Sequence, residues 1–315
     1  MEGEHSGMTP SGAETSGIDP LVTIVLPTFN RADMLMEAVE SIIAQTYRRW
    51  ELLVVDDGST DATIERVERL ADSRIKLVRL AHSGNISRVR NAGVAAATGE
   101  YLAFLDSDDL WLPRRLETQL RALQSSQASW CYANIRHIDR AGAPVPFRAG
   151  RFRALSGRIA AQLLNDQTGA FIVTWLVRRR LFDEVGGFDE GLLTHGDLDL
   201  ALRLSEAADV VAVSEVLALI RDHPSRTTLT RAHPHESAAM IFKKALDRCR
   251  DPACARLARR RWANHLASAA CDRLASGDIA KGGGLLWRSL IHGASPPHWL
   301  RSLATGSLRL LGQHR

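Results

Sequence analysis

Four short apolar runs, separated by helical patterns, constrain the fold of this chain most strongly. The runs are residues 21–26 "LVTIVL", 51–55 "ELLVV", 75–80 "IKLVRL" and 100–105 "EYLAFL". Between them, apolar residues recur at helical spacing over residues 32–45 and 61–70 and through "NISRVRNAGVAAATG" at 85–99. Strands that alternate with helices in this way predict βαβ units around a parallel sheet.

Local signals predict where three of the helices begin or end. Ser59 or Thr60 is expected to cap the second helix at its N-terminus. Gly99 is expected to follow the C-terminus of the third helix, where glycine is the favoured residue. Pro113 is expected to open the fourth helix, because proline is favoured in a first turn.

Polar clusters follow three of the predicted strands. They are "PTFN" at 27–30, "DDGST" at 56–60 and "DSDD" at 106–109. The carboxyl ends of parallel strands lie at one edge of the sheet, and ligands bind at that edge. A single acidic turn is usually solvated, whereas three polar strand ends at one edge predict a binding site.

The acidic cluster after the fourth run needs a compensating charge. Asp106, Asp108 and Asp109 lie directly after buried sequence, and neighbouring carboxylates make one another harder to ionise. Residues two apart in an extended turn point to the same side. Asp106 and Asp108 therefore suit Mg²⁺ or Mn²⁺ with positions left for phosphate oxygens. The alternative is an Asx-type turn with solvated carboxylates.

The pattern loosens after residue 125. Strands are predicted in 130–138 and 171–177, helices within 179–192 and 196–208, and one or two short strands in 210–223. The chain from residue 232 onward is predicted to be helical. No internal repeat is visible.

Composition excludes several classes of protein. No run of eighteen apolar residues is present, so no transmembrane helix is expected. The first twenty residues lack the basic and apolar regions of a signal peptide and are expected to form a disordered tail. The four cysteines form no zinc pattern and are expected to be free thiols in a reducing cytoplasm.

Charge is distributed unevenly along the chain. Residues 232–315 contain 14 Lys and Arg against 5 Asp and Glu, whereas residues 1–231 contain 26 against 31. The basic segment is interpreted as a helical bundle packed on the rest of the protein. The alternative is an amphipathic surface that contacts anionic lipid. Nucleic acid is not expected as a partner, because no nucleic-acid-binding motif accompanies the charge.

The order of these motifs closely resembles the family 2 glycosyltransferases of the GT-A fold. The resemblance runs from residue 22 to residue 229 and is carried by "PTFN", "VVDDGST", "RVRNAG", "FLDSDD" and "GDLDLALRL". It implies an α/β, Rossmann-like, mostly parallel sheet flanked by helices, with a C-terminal helical extension. The implied divisions are a tail at 1–20, a catalytic domain at 21–231 and a basic helical extension at 232–315. Within the catalytic domain, residues 21–125 would bind the nucleotide and residues 126–231 the acceptor.

The resemblance also implies roles for single residues. Asp57 would accept a hydrogen bond from the base, usually uracil, and Arg90 would lie near the base and phosphates. Asp108 would bind Mn²⁺ or Mg²⁺ directly, and Asp106 would contact the ribose or donor sugar. The complete set of implied donor-binding residues is Pro27, Thr28, Phe29, Asn30, Asp57, Arg90, Asp106, Ser107 and His223.

The implied catalytic base is Asp197, which would take the proton of an acceptor hydroxyl as that oxygen attacks the anomeric carbon. Two neighbours depart from the family pattern: His195 stands for the usual Gly and Gly196 for the usual Glu. Asp199 is expected to be structural or to face the acceptor. Arg221 and His223 resemble a segment near the diphosphate, and a surface role is the alternative for His223.

The resulting hypothesis is an inverting glycosyltransferase that uses a nucleotide-sugar, usually UDP-linked, and a carbohydrate or lipid-linked acceptor. Such an enzyme would act in the cytoplasm or at the inner face of the membrane, in cell-surface polysaccharide or glycolipid synthesis. A catalytically degenerate nucleotide-sugar or carbohydrate-binding protein on the same fold is the alternative. A nucleotidyltransferase ranks last, because "PTFN" is not a glycine-rich phosphate loop.

Overall fold

The computed structural model describes residues 19–145, 153–223 and 234–294. The expected disordered tail lies outside the described residues except for its last two positions, and so does the end of the basic segment beyond residue 294. Within the described ranges, the chain forms one eight-stranded sheet with helices packed against it.

The strands follow the predicted runs closely in the first half of the chain. They are β1 Val22–Thr28, β2 Trp50–Asp56, β3 Ile75–Arg79, β4 Tyr101–Phe104, β5 Leu110–Trp111, β6 Trp130–Ile138, β7 Leu176–Arg178 and β8 Val210–Arg221. Their order in the sheet is β3-β2-β1-β4-β7-β6-β8-β5. The first four strands are mutually parallel, β7 runs antiparallel to both of its neighbours, and β8 runs parallel to β6 and antiparallel to β5. The predicted mostly parallel α/β sheet is confirmed.

Ten α-helices lie in the described ranges. They are α1 Ala32–Ile43, α2 Thr63–Glu68, α3 Ile86–Ala95, α4 Arg115–Gln124, α5 Ala160–Leu164, α6 Arg179–Glu184, α7 Gly196–Ala207, α8 Pro234–Arg248, α9 Pro252–Ala275 and α10 Ile279–Ile291. Every residue of β1 and β2 is buried. Both strands are apolar on both faces because helices cover both sides of the sheet.

Several predicted helix ends are wrong. The N-cap of α2 is Ala62, and the nearby carboxylate of Asp61 accepts from the Thr63 backbone N–H instead of a Ser59 or Thr60 cap. Helix α3 ends before Gly99, which is needed for a different reason: a Cβ there would lie 2.7 Å from the Leu21 carbonyl oxygen. Pro113 lies two positions before α4 rather than inside it.

The second half differs from the prediction in two places. Part of the strand predicted in 171–177 is a 3-10 turn at Ile172–Thr174, and only β7 joins the sheet. The one or two short strands predicted in 210–223 are a single strand of 12 residues, β8. Its register against β6 shifts around Asn134, which marks a bulge. The two strands remain paired on both sides of this bulge.

The basic segment is a helical bundle as far as the structure describes it. Helix α9 lies between α8 and α10 and contacts both extensively, and Trp262 and Leu266 on α9 belong to the main core. The favoured interpretation of this segment is therefore supported for residues 234–294. None of the described helices is both long and apolar enough to cross a bilayer. All four cysteines are free thiols, and burial raises the pKa of Cys131 to about 12.

Glu51 ties together the amino-terminal ends of the parallel strands. Its Oε1 accepts from the Thr23 hydroxyl of β1 and from both N–H and O–H of Thr98, and Lys76 of β3 lies 2.9 Å from Oε2. Burial would raise the pKa of this carboxyl, but these hydrogen bonds outweigh burial and lower it from 4.5 to about 2. The ionised form of Glu51 is therefore the one that stabilises the fold.

We expect Glu51→Gln to lower the free energy of unfolding at neutral pH by about 3 kcal/mol, the size of the pKa change from 4.5 to about 2 expressed as an energy. Because the folded pKa is depressed, the ionised carboxyl stabilises the protein fully above the unfolded pKa near 4.5. That contribution is lost as pH falls toward 2. Urea titrations of both proteins at a series of pH values should therefore converge toward low pH.

Glu65→Gln is the matched control, because Glu65 makes only an exposed ion pair with Arg69 one turn away on the same surface. It should change stability by less than about 0.5 kcal/mol. A difference between Glu51→Gln and the native protein that stays constant from neutral to acid pH would contradict the role given to the ionised carboxyl.

Candidate active site

A cavity of about 490 Å³ opens at the carboxyl ends of β1, β2 and β4. Residues 193–197, which lead into α7, also line it. The site residues from the sequence that line it are Pro27, Thr28, Phe29, Asp57, Arg90, Asp106, Ser107, Asp108 and Asp197. The three polar strand ends thus meet at one edge of the sheet, as the topology requires.

Asp57 is a buried residue of the cavity lining. Its Oδ1 accepts from the backbone N–H and hydroxyl of Ser83, and its Oδ2 accepts from the backbone N–H of Gly84. His82 Nδ1 lies 2.9 Å from the Asp57 carbonyl oxygen and 3.1 Å from Oδ2. The carboxylate therefore holds the loop after β3 in place. A ligand that bound Asp57 would do so in addition to these contacts.

An aromatic pair forms the rim near Asp57. The rings of Phe29 and His82 stack with centroids 4.1 Å apart and planes 20° from parallel. Asn30, by contrast, does not line the cavity. Its side-chain oxygen accepts from the backbone N–H groups of Thr60 and Asp61, which ties the end of β1 to the loop after β2. In this structure Asn30 supports that loop.

Arg90 compensates the first carboxylate of the acidic cluster. Its Nη2 lies 2.5 Å from Asp106 Oδ1, and the arginine side chain is only 7% exposed. Nε of Arg90 and Oγ1 of Thr28 are buried, and neither has a hydrogen-bond partner within the described ranges. Buried polar atoms are normally hydrogen-bonded, so these two atoms are exceptions among the residues that line the cavity.

Asp108 is held by two cationic or potentially cationic groups. Arg31 Nη1 lies 2.6 Å and His223 Nε2 lies 2.8 Å from the same carboxylate oxygen, Oδ2. The His223 side chain is 2% exposed, so the surface alternative for this residue is wrong. The acidic cluster was expected to need a compensating charge. In this structure Arg31, Arg90 and His223 lie beside its carboxylates.

Arg221 fixes the backbone of the acidic turn from behind. Its backbone N–H donates to Asp109 Oδ1, and its Nε donates to the Asp108 carbonyl oxygen at 3.3 Å. The guanidinium also donates to Glu37 and to the carbonyl of Arg140. Arg221 is 4% exposed and outside the cavity lining, and so it positions Asp108 rather than facing a ligand.

Asp197 stands in the first turn of α7 and faces the cavity. The N-terminus of a helix favours a negative charge, so the carboxylate is well placed there. Asp199 plays a different part. It is 1% exposed, its Oδ2 accepts from Nε and Nη2 of Arg203, and Arg248 of α8 lies 3.8 Å from its Oδ1. Asp199 is structural, one of the two roles expected for it.

The backbone explains the two departures that precede Asp197. His195 has φ of +59°, the left-handed conformation in which a glycine would be unstrained and which histidine adopts more often than most residues. At position 196 a Cβ would lie 2.7 Å from Ser87 Oγ, so a side chain there would force the buried Ser87 side chain to move. Gly196 therefore lets α7 approach α3 closely and carries Asp197 to the cavity.

Sequence reasoning missed Arg31 and His82 among the residues that line the cavity. Arg31 directly follows "PTFN", and His82 lies in the polar segment after β3. Applying the argument from polar strand ends to β3 as well would have found His82. Leu193 and Thr194, which also line the cavity, give no such signal because they lie in an irregular segment.

The donor set fits a divalent metal only in part. Asp108 and His223 provide an oxygen and a nitrogen ligand side by side. Mn²⁺ accepts this combination better than Mg²⁺, which prefers oxygen ligands, and phosphate and water would complete the shell. Within the described ranges, no group of three or more His, Cys, Asp or Glu side chains could hold a metal alone. A metal bound here would therefore need some of its ligands from a bound phosphate.

Comparison with known proteins defines the class first. Two solved structures share the fold. S. aureus TarS 1–349 in complex with UDP-GlcNAc is 18% identical, with a TM-score of 0.63 over 81% of this chain and 83% of that chain. The mannosyltransferase PcManGT from Pyrobaculum calidifontis in complex with GDP-Man and Mn²⁺ is 19% identical, with a TM-score of 0.60 over 94% of this chain and 88% of that chain. The fold is that of the GT-A glycosyltransferases. The model of glycosyl transferase family 2 matches residues 23–186, and the chain belongs to that family.

Curated relatives agree with this assignment. An uncharacterized glycosyltransferase of Rickettsia typhi is 30% identical over 226 residues, which cover 71% of this chain and 70% of the relative. The Escherichia coli UDP-Glc:alpha-D-GlcNAc-diphosphoundecaprenol beta-1,3-glucosyltransferase WfgD is 38% identical over 121 residues, 38% of this chain and 48% of WfgD. The putative teichuronic acid biosynthesis glycosyltransferase TuaG of Bacillus subtilis is 33% identical over 40% of this chain and 51% of TuaG. This chain thus spans about half the length of WfgD and TuaG.

We expect Gly196→Ala to destabilise the native protein by about 1–3 kcal/mol, because the new methyl group would overlap Ser87 Oγ. In a Ser87→Ala background the overlap is absent, and the same change should be neutral or stabilising by up to about 1 kcal/mol. Chemical denaturation of the four proteins of this double-mutant cycle measures the coupling.

Gly283→Ala on α10 is the matched control, since no atom lies within 4 Å of its added Cβ. It should stabilise the protein slightly in either background. Additive effects of the Gly196 and Ser87 substitutions would show that the contact between α7 and α3 does not determine the residue at position 196.

Proposed function

We propose that this protein is a metal-dependent inverting glycosyltransferase that transfers a sugar from a UDP-sugar to a hydroxyl acceptor. The observation that carries the proposal is the single cavity that collects Asp57, Arg90, Asp106, Asp108 and Asp197. Residues 21–125 supply the donor side of this cavity, and residues 126–231 supply the acceptor side. The acceptor would be a carbohydrate or a lipid-linked sugar in cell-surface polysaccharide synthesis.

Asp57 and the aromatic rim support a nucleobase at one end. An ionised carboxylate offers about four acceptor positions, and Ser83 and Gly84 occupy three of those on Asp57. His82 Nδ1 also lies 3.1 Å from Oδ2. An imide N–H such as that of uracil would take the fourth position while the imidazole keeps its contact with the Asp57 carbonyl oxygen. The stacked rings of Phe29 and His82 offer an aromatic surface next to it. WfgD is named for UDP-Glc and TarS was solved with UDP-GlcNAc, which favours UDP over other nucleotides.

The cationic groups support a diphosphate in the middle of the cavity. Arg90 and Arg31 already approach carboxylates there, and a guanidinium pairs equally well with phosphate oxygens. Asp108 and His223 would hold Mn²⁺ or Mg²⁺, and PcManGT is a neighbour of this fold that was solved with Mn²⁺. A bound metal would neutralise charge on the leaving diphosphate.

Asp197 supports direct displacement at the far end. As general base it would accept the proton of the acceptor hydroxyl while that oxygen forms the new bond to the anomeric carbon and the diphosphate leaves. The attack comes from the side opposite the leaving group, which inverts the configuration. Among the residues that line the cavity no cysteine is present, so no thiol is placed there to form a covalent intermediate.

We expect Asp197→Asn to bind donor normally and to lower kcat by about 10²–10⁴-fold, since only proton transfer is lost. Asp108→Ala should abolish metal-dependent donor binding. The experiment titrates a panel of nucleotide-sugars, with and without Mn²⁺, into the native protein and both variants, and then measures transfer to acceptor pools that include membrane lipid extracts.

Asp199→Asn serves as a contrast to Asp197→Asn, because it should lower stability without a selective loss of kcat. Failure of every nucleotide-sugar to bind with metal present would overturn the proposal. Metal-dependent binding without turnover on any acceptor would instead favour the degenerate binding protein.

We also expect Arg31→Gln to tighten Mn²⁺ binding in the absence of nucleotide by about fivefold, equivalent to ~1 kcal/mol. Arg31 and a metal compete for the same carboxylate, so removing the guanidinium favours the metal. His223→Ala should weaken Mn²⁺ binding, because it removes a ligand. Electron paramagnetic resonance of free Mn²⁺ measures both without reference to activity.

Arg66→Gln is the matched control for charge, since Arg66 pairs with the exposed Asp33 and does not line the cavity. It should leave Mn²⁺ binding unchanged. Weaker Mn²⁺ binding in Arg31→Gln would rule out competition between Arg31 and the metal for Asp108.

A further inference from the structure

Helix α10 has an apolar face that the rest of residues 19–145, 153–223 and 234–294 leaves exposed. Ile279 is 74% exposed, Trp287 66%, Leu290 48% and Ile291 57%. They account for four of the seven large hydrophobic residues that are exposed in the described ranges. Such clustering on one short helix marks an interaction surface, because soluble proteins seldom expose adjacent large apolar side chains without a partner.

The exposed residues occupy one continuous arc of the helix. At about 100° per residue, the seven exposed positions from Ile279 through Ile291 that carry apolar side chains or glycine span ~140°. They are Ile279, Ala280, Gly283, Gly284, Trp287, Leu290 and Ile291. Gly282 and Ser289 are buried on the opposite side, which packs against α9. The arc faces away from the bundle.

The charges beside this arc are of one sign. Lys281 and Arg288 fall together at one edge of it, and both are exposed. Lys281 also pairs with Glu236 at 3.1 Å. The last acidic residue of the sequence is Asp278, so residues 279–315 contain five cations and no carboxylate. An apolar face with basic residues at its edge is complementary to an anionic lipid surface.

The dimensions of the face favour a membrane over a second copy of the chain. A helix of 13 residues is about 20 Å long and ~10 Å wide. This footprint is small beside the ~800 Å² that each partner of a stable dimer buries. The helix is also too short to span a bilayer, which takes about 20 apolar residues. It matches a helix that lies in the plane of the interface.

We infer that α10 docks the protein on anionic membranes by inserting Ile279, Trp287 and Leu290 at the boundary between headgroups and acyl chains, with Arg288 at the phosphates. The surface lies within the basic segment for which contact with anionic lipid was the alternative, but it is confined to α10 and excludes α9, which packs against both α8 and α10. The inference deepens the proposed function and rests on it only in that a lipid-linked acceptor would lie at this surface.

The experiment is flotation of the full-length protein with vesicles of phosphatidylcholine, alone or mixed with phosphatidylglycerol. The native protein should float with the anionic vesicles only, and less so at high salt. The triple variant Ile279→Asn, Trp287→Asn, Leu290→Asn should bind at least about tenfold more weakly, because it removes most of the buried apolar area. The exchange Leu290→Ile with Ile291→Leu keeps the composition of the face and should keep binding.

The insertion of Trp287 into the lipid is tested by quenching of tryptophan fluorescence with brominated lipids. Trp287→Phe should still float but should lose most of the quenching. Quenching that survives in Trp287→Phe, or native protein that floats with neither vesicle, would overturn the inference. A concentration-dependent dimer that the triple variant abolishes, seen by sedimentation without vesicle binding, would assign the face to a second copy and also overturn it.

Donor binding by the same variants separates this inference from the proposed function. The triple variant should bind a nucleotide-sugar like the native protein, which also shows that it folds. Flotation without donor binding in the native protein would leave the docking surface standing and remove the glycosyltransferase proposal.

Discussion

The acidic turn after β4 depends on charges that come from distant parts of the chain. Asp106 is compensated by Arg90, 16 residues earlier, and Asp108 by Arg31 and His223, 77 and 115 residues away. Crowded carboxylates are costly unless cations lie beside them. The first half of the sheet, α3 and the end of β8 must therefore all be in place before this turn is stable. The site is thus complete only in the folded protein.

Much of the first half could be predicted from the sequence, because its signals are local. A strand that is buried on both faces appears as a continuous apolar run, as β1, β2 and β4 do. The edge strand β3 also coincides with a predicted run, although it is only partly buried. Helix ends were less predictable. Gly99 looks like a helix terminus, yet its requirement comes from the Leu21 backbone, a contact that only the tertiary structure creates. The single long strand β8 was missed for the same reason, since its pairing with β6 continues past a bulge.

The site residues also divide into those that local sequence signals predict and those that only tertiary contacts determine. The residues after β1, β2 and β4 were predictable, because the topology of parallel strands brings their ends together. The ion pair of Arg31 with Asp108 was not, since nothing in the sequence near Arg31 points to a carboxylate 77 residues away. The substitutions at 195 and 196 looked like departures from a catalytic motif. The backbone accounts for both: His195 tolerates a left-handed conformation, and Gly196 fills a position where a Cβ would crowd Ser87 of α3.

The bundle of α8, α9 and α10 gives the basic segment two separate tasks. Arg248 of α8 reaches Asp199 and Glu206 on α7, so the bundle helps to hold the helix that carries Asp197. Glu236 of α8 in turn pairs with Arg273 and Lys281, which fixes the start of α10 against the other two helices. A membrane contact made by the outer face of α10 would therefore be connected through packed helices to the wall of the cavity. With the roles proposed for α10 and Asp197, the enzyme would meet a lipid-linked acceptor in one orientation, because α10 and α7 belong to one packed unit.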